Sequence, residues 1–198
     1  MDGRRGPDER KLVALAREHD AASLKALYDA YVQYLAAVCR RYLSSEDDVK
    51  DVLQDSFVKI FSSLDRFEWR GEGSLRLWMR RIAVNEALML LRRRSSEKTA
   101  PFSSQPEAPD LEDADPEVEQ VPLEVLQDMI RGLPEGYRTV FNLHVFEQLP
   151  HREIAGLLGI SENTSFSQFS RAKNLLARKI REYLASEGRY DTDNKFKS

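Results

Sequence analysis

Residues 149–184 read LPHREIAGLLGISENTSFSQFSRAKNLLARKIREYL. Pro150 suits a helix start, because its missing N–H is not needed in the first turn. A short helix then carries Ile154, Ala155 and Leu158 on one side. Gly159 ends it as a C-cap and Ile160 fills the turn. Ser161 starts a long helix with Glu162 in its first turn. The small Ala155 lets two helices joined by a tight turn cross closely, a helix-turn-helix layout. At about 100° per residue, Ser165, Phe169, Ala172, Leu176, Ile180 and Leu184 form one stripe. The opposite face near the helix start holds Thr164, Ser167, Arg171 and Asn174, with Ser170 and Lys173 close by. Small polar and basic groups there suit base edges and phosphates in a major groove. The net charge from Ser161 to Leu184 is +3, five basic residues against two acidic. A solvated face of an ordinary bundle has the same composition.

Upstream, the three-and-four spacing of apolar residues predicts four more helices. They span Arg10 to His19, Ser23 to Leu43, a third starting after Ser45 and reaching Leu64, and Ser74 to Arg94. Ser45 reads as an N-cap, with Glu46, Asp47 and Asp48 filling the first turn behind it. Period-two patterns are absent, so the fold class is all-α: two small helical domains joined by an acidic linker. The loop from Asp65 to Gly73 carries Phe67, Trp69 and two arginines, Arg66 and Arg70. The helix after it is +5 from Leu75 to Arg94, with Arg76, Arg80, Arg81, Arg92, Arg93 and Arg94 against Glu86. Aromatic rings interleaved with arginine suit single-stranded DNA, on which bases stack and whose backbone arginine neutralises. Phe67 and Trp69 suit a core or lid role equally well, and Trp78 reads as core. Asn85 offers a donor and an acceptor to a base edge, or serves as a structural cap.

The boundaries drawn are residues 8–96 and 122–185 for the domains, 97–121 for the linker and 186–198 for a polar tail. The linker holds five of the eight prolines with both ends counted, and too little apolar content to repay ordering. From Ser95 to Val121 eight acidic residues stand against Lys98, a net −7. The whole chain is −3, which leaves +4 for the remainder, so the acidic balance does not exclude nucleic acid. Hydrophobic content of 41% and charged content of 32% fit a soluble globular chain. No apolar run of about 18 residues predicts a transmembrane helix. The polar start MDGRRGPDERK lacks a signal-peptide stretch. A single cysteine, Cys39, sits in an apolar stripe and suits a reducing cytoplasm. His19, His144 and His151 are scattered among separate helices without zinc spacing. No phosphate-binding glycine loop or nucleophile elbow is present. The expectation is a cytoplasmic binding protein with no metal, no cofactor and no enzymatic activity.

Two stretches carry a resemblance. DVLQDSFVKIFSSLDRFEWRGEGSLRLWMRRIAVNEALMLLRRR, from Asp51, resembles region 2 of the sigma-70 family of RNA polymerase sigma factors. LPEGYRTVFNLHVFEQLPHREIAGLLGISENTSFSQFSRAKNLLARKI, from Leu133, resembles region 4. Together they cover about half the chain and are similar to the compact extracytoplasmic-function (ECF) group. A WMRRIAVN segment after a DVLQD helix, paired with EIAGLLGIS, is more specific than a helix-turn-helix alone. The resemblance implies that the DxxQ helix docks on the β′ clamp helices of core polymerase, through Asp51, Gln54, Asp55 and Lys59. It implies a −10 reader that captures a flipped base, built from Phe67, Trp69, Arg70, Arg80 and Asn85. It implies −35 recognition by Thr164, Ser167, Ser170, Arg171 and Lys173, with region 4 also meeting the β subunit. Promoter DNA, core polymerase and an anti-sigma factor are the implied partners. Phe166 departs from the family, where a basic residue is frequent. It either packs on the preceding helix, the favoured reading, or touches a thymine methyl. The competing reading is a stand-alone helix-turn-helix regulator, which binds its duplex without polymerase.

Overall fold

A computed structural model describes residues 9–18, 20–97 and 118–195. Every regular element among them is helical, with no strand. The chain divides into two compact units, Met1–Arg94 and Ser95–Ser198.

The first unit contains α1 (Glu9–Ala16), α2 (Ala21–Cys39), α3 (Glu46–Ser63) and α4 (Ser74–Glu97). Their ends follow from local chemistry. Asp20 caps α2, its carboxylate accepting from the amides of Ala22 (2.9 Å) and Ser23 (3.1 Å). That cap starts α2 two residues before the Ser23 expected from sequence. These bonds, led by the Ser23 hydroxyl, hold the Asp20 carboxyl below its usual range. Ser45 is the N-cap residue of α3, with extended backbone and the three acidic residues behind it. Arg40 grips Glu46 through two bonds of 2.8 and 2.9 Å, bracing the α2–α3 turn. Arg94 makes a two-pronged pair with Asp48 (2.5 and 2.6 Å), tying the far end of α4 to the start of α3. Leu27, Leu35, Ile60, Leu75, Met79 and Leu88 are fully buried and form the centre of this unit. Burying each such side chain stabilises the unit by about 1.5–3 kcal/mol.

The second unit contains α5 (Leu123–Arg131), α6 (Glu135–Val145), α7 (His151–Leu158) and α8 (Glu162–Lys195). Ile130, Leu133, Tyr137, Ala172 and Leu176 form its apolar core, with Phe141 and Phe146 packed against them. Gly159 ends α7 at φ +68°, and the Ile160 amide returns to the Ala155 carbonyl at 3.1 Å. This is the closure expected of a helix ended by a left-handed glycine.

α8 continues to Lys195, well past the Leu184 at which the sequence pattern ends it. No proline interrupts residues 185–195, and each residue added to an existing helix gains a backbone hydrogen bond. Most of the acidic stretch, residues 98–117, and His19 lie outside the described residues. Its end is ordered: Val118–Gln120 form a 3-10 turn and Val121 is buried.

Candidate functional site

Three surfaces carry the residues singled out from the sequence. The first is the loop between α3 and α4. A 3-10 turn, Leu64–Arg66, leads into it, and Gly71 (φ +116°) and Gly73 (φ +79°) lead out. A Cβ at either glycine would meet nothing within 4 Å, so conformation rather than space requires them. Phe67 is only 5% exposed and its ring packs on Trp78, with centroids 5.1 Å apart. It anchors the loop and has no free face for a base, unlike its expected place among stacking aromatics. Trp69 is half-buried and Arg70 exposed. Arg70 meets Glu68 at 3.0 Å, a surface pair of little energetic weight.

Beside the loop lies a cleft of about 540 Å³. Arg66, Arg70 and Arg81 bring positive charge to it, Glu68 and Glu72 negative charge, and Phe67, Leu77 and Trp78 apolar surface. Asn85 and Trp69 do not line this cleft. Asn85 is exposed on α4, one turn beyond Arg81, and Arg80 is half-buried. Leu77, Arg81, Asn85 and Met89 form one exposed stripe at four-residue spacing. Arg81 was not among the sequence candidates for this site, although its i,i+4 relation to Asn85 marks it.

The second surface is α3. Asp51, Gln54 and Asp55 are exposed. Lys59 is committed elsewhere: its Nζ lies 2.6 Å from the Glu86 carboxylate on α4, whose side chain is 10% exposed. Gln54 borders a mainly apolar groove of about 430 Å³ with Tyr28, Lys50, Leu53, Phe57, Val58 and Phe61. Val58 is 61% exposed and Tyr28 also reaches solvent. Val58 escaped the sequence reading. An apolar residue on the polar face of α3 is the signal that reveals Val58.

The third surface is the helix-turn-helix. Ser161 caps α8, its Oγ accepting from the Thr164 amide at 3.0 Å and lying 2.8 Å from the Thr164 hydroxyl. Thr164 is therefore half-buried in the cap. Ser167, Ser170 and Lys173 are exposed and Arg171 is half-buried. The inward stripe contains Ser165, Ala172, Leu176 and Ile180, together with Gln168, which the sequence reading left out.

Phe166 packs on the preceding helix, the favoured expectation, without being buried by it. It remains 53% exposed, while its ring lies 3.9 Å from that of His151 on α7. The two histidines read as scattered are in fact stacked: the rings of His144 and His151 are 4.5 Å apart and 17° from parallel. The fold brings them together because α6 and α7 both pack on α8. Phe169 closes the cluster edge-on to both. His144 Nδ1 lies 3.0 Å from the Leu149 carbonyl, so Nδ1 carries the donated proton. His151 Nδ1 meets Ser165 Oγ at 2.8 Å, linking α7 to the start of α8. Burial, then the neighbouring His144, push the His151 pKa below its usual value, and Glu162 opposes them.

Among the described residues no group of three or more His, Cys, Asp or Glu is placed to hold a metal ion. Cys39 is buried, and burial pushes its thiol up to about 12. No described helix is long and apolar enough to cross a membrane.

Residues 27–97 match the family model for sigma-70 region 2, and residues 123–176 that for sigma-70 region 4. An ECF RNA polymerase sigma-E factor of Haemophilus influenzae is 30% identical over 185 residues, covering 87% of this chain and 95% of the relative. That of Escherichia coli K12 is 29% identical over 182 residues, covering 85% and 92%. Among solved structures, that of CnrH in complex with the cytosolic domain of CnrY aligns over 87% of this chain and 97% of CnrH. Its identity is 25% and its TM-score 0.47.

Proposed function

The chain belongs to the sigma-70 family, in its ECF group, and from that premise we propose how its surfaces divide the work of an RNA polymerase sigma factor. Promoter DNA and core polymerase are its partners.

The carrying observation is the cleft that Arg66, Arg70 and Arg81 line at the start of α4, with Trp69 in the adjoining loop and Asn85 exposed one turn beyond Arg81, both outside the cleft itself. In the proposed opening step, a base of the −10 element leaves the duplex. Its extrusion costs a few kcal/mol. Stacking on Trp69 and hydrogen bonds to Asn85 offset that cost, while Arg70, Arg80 and Arg81 neutralise the strand. Phe67 holds the loop from beneath.

Asp51, Gln54 and Asp55, with the apolar groove beside Gln54, form the face offered to the β′ clamp helices. The polar rim fixes register and the groove supplies buried apolar area. On the second unit, Ser167, Ser170, Arg171 and Lys173 face the −35 duplex, and Phe166 presents an apolar edge suited to a thymine methyl. Region 4 also meets the β subunit. The protein works by binding in the cytoplasm, without catalytic residues or cofactor, and an anti-sigma factor is a further partner.

The test is runoff transcription from genomic fragments with purified core polymerase. Promoter-specific initiation that depends on this protein is expected, with Asn85→Ala impairing opening but not core binding. Tight, sequence-specific duplex binding without polymerase, and no transcript with it, would establish the stand-alone regulator instead.

A further inference from the structure

The promoter-reading loop is held at both ends by a helix that resembles none of the quoted motifs. Arg17, in the turn after α1, donates from Nε to the Leu64 carbonyl (3.4 Å) and from its guanidinium to the Phe67 carbonyl. Glu9, at the start of α1, accepts from the Gly73 amide at 2.8 Å. Its other carboxylate oxygen accepts from the Tyr31 hydroxyl of α2, also at 2.8 Å. Glu9 and Arg17 are eight positions apart, about 12 Å at the helical rise of 1.5 Å per residue. α1 thus spans the loop as a rigid strut, itself seated by the buried Val13 and Ala16. The segment between the two attachments carries Trp69 and Arg70, and ends in the two positive-φ glycines, the most permissive backbone of the unit.

We propose that Glu9 and Arg17 are positioning residues that set the reading loop for promoter opening, so that α1 tunes −10 selectivity without touching DNA. The proposal rests on assigning the loop to the −10 strand. The charged groups make hydrogen bonds to backbone, stronger than neutral ones, and oppose the conformational freedom of the glycines.

The test has two arms. The chain holds two tryptophans, Trp69 and Trp78, so a Trp78→Phe background isolates Trp69 emission. Acrylamide quenching of Trp69 in the free protein is expected to rise in Glu9→Ala and in Arg17→Ala. It is expected to return toward the parent in Glu9→Gln, whose amide oxygen still accepts from Gly73. Tyr31→Phe, which cuts the strut from α2 but not from the loop, is expected to leave quenching unchanged.

In the second arm, holoenzyme opens a matched promoter and one with a scrambled −10 element. Glu9→Ala should lower the ratio of opening rates about tenfold, the loss of roughly one charge-assisted hydrogen bond, with core affinity unchanged. If Trp69→Ala lowers the ratio but Glu9→Ala and Arg17→Ala alter neither ratio nor quenching, the strut is refuted. So too if Glu9→Ala loses helicity and core binding together, or if Tyr31→Phe matches it. If Trp69→Ala and Asn85→Ala also leave the ratio unchanged, the −10 assignment itself fails, while the quenching arm still decides the strut.

Discussion

Phe166 on α8 lies with its ring centroid 3.9 Å from that of His151 on α7, yet the residue remains 53% exposed. The position is therefore shared between the packing of α7 on α8 and the exposed face proposed to meet the −35 duplex. Phe166→Arg is expected to add a phosphate contact at the cost of that ring contact. Duplex affinity of the holoenzyme should rise at low salt, and the slope of log affinity against log salt should steepen by about 0.9. The urea midpoint of the free protein should fall slightly. An unchanged salt slope would place this side chain away from the phosphates.

The His144–His151 stack makes the second unit sensitive to acid. The folded-state pKa of His151 is lowered from the usual 6.5, first by burial and then by His144. At pH above 6.5 both folded and unfolded chains hold the ring neutral, and its full contribution is present. As pH falls below 6.5, the unfolded chain binds a proton that the folded chain resists until its own lower pKa is reached. Stability drops across that window. The groups facing His151 are His144 from α6 and Ser165, Phe166 and Phe169 from α8, with Glu162 the acidic neighbour that opposes the shift. Denaturant midpoints at pH 7.5 and 5.5 check this, and His151→Gln should flatten the difference. A wild-type midpoint that does not fall between these values would contradict it.

The parts legible from sequence are those whose signals are local. Gly159, Ile160 and Ala155 lie within six residues and fix the tight turn by themselves. Ser165, Ala172, Leu176 and Ile180 repeat at helical spacing and are buried as that spacing requires. Phe67 has no periodicity to report its direction, because it sits in a loop. Its burial depends on Trp78, eleven residues away in another element. His144 and His151 belong to separate helices, and only the packing of both on α8 stacks them. Lys59 reads as one more polar residue on α3 until Glu86, 27 residues on, is placed beneath it. For these residues the role is set by a partner on another element, whereas Arg81 and Val58 carry local signals in their helical spacing.

The two loop glycines separate conformational strain from crowding. Gly73, at φ +79°, lies near the left-handed helical region, whereas Gly71, at φ +116°, lies outside it. Added side chains meet no atoms at either position. Gly73→Ala is expected to destabilise the first unit by about 1–2 kcal/mol. Gly73→Asn should cost less, because asparagine tolerates left-handed backbone. At Gly71 neither residue fits, and Asn should give no relief. Urea titrations of the four variants check the pattern, and equal losses for Ala and Asn at Gly73 would contradict it.

Lys59 tests how α3 divides between holding the fold and meeting polymerase. Its ammonium covers a Glu86 carboxylate that is nearly enclosed by the first unit. Lys59→Ala removes the cation paired with that carboxylate, leaving a charge with little access to water. Losing the partner of a charged hydrogen bond costs about 1–3 kcal/mol, and the urea midpoint should fall accordingly. Adding Glu86→Gln should recover part of the loss, because a neutral amide is less costly to leave enclosed. Asp51→Ala and Gln54→Ala remove exposed groups from the same helix and should change stability by no more than about 0.5 kcal/mol. Those two variants are instead expected to weaken binding to core polymerase, measured by fluorescence anisotropy. If Lys59→Ala keeps wild-type stability and loses polymerase binding, the Glu86 pair is incidental and Lys59 belongs to the docking face after all.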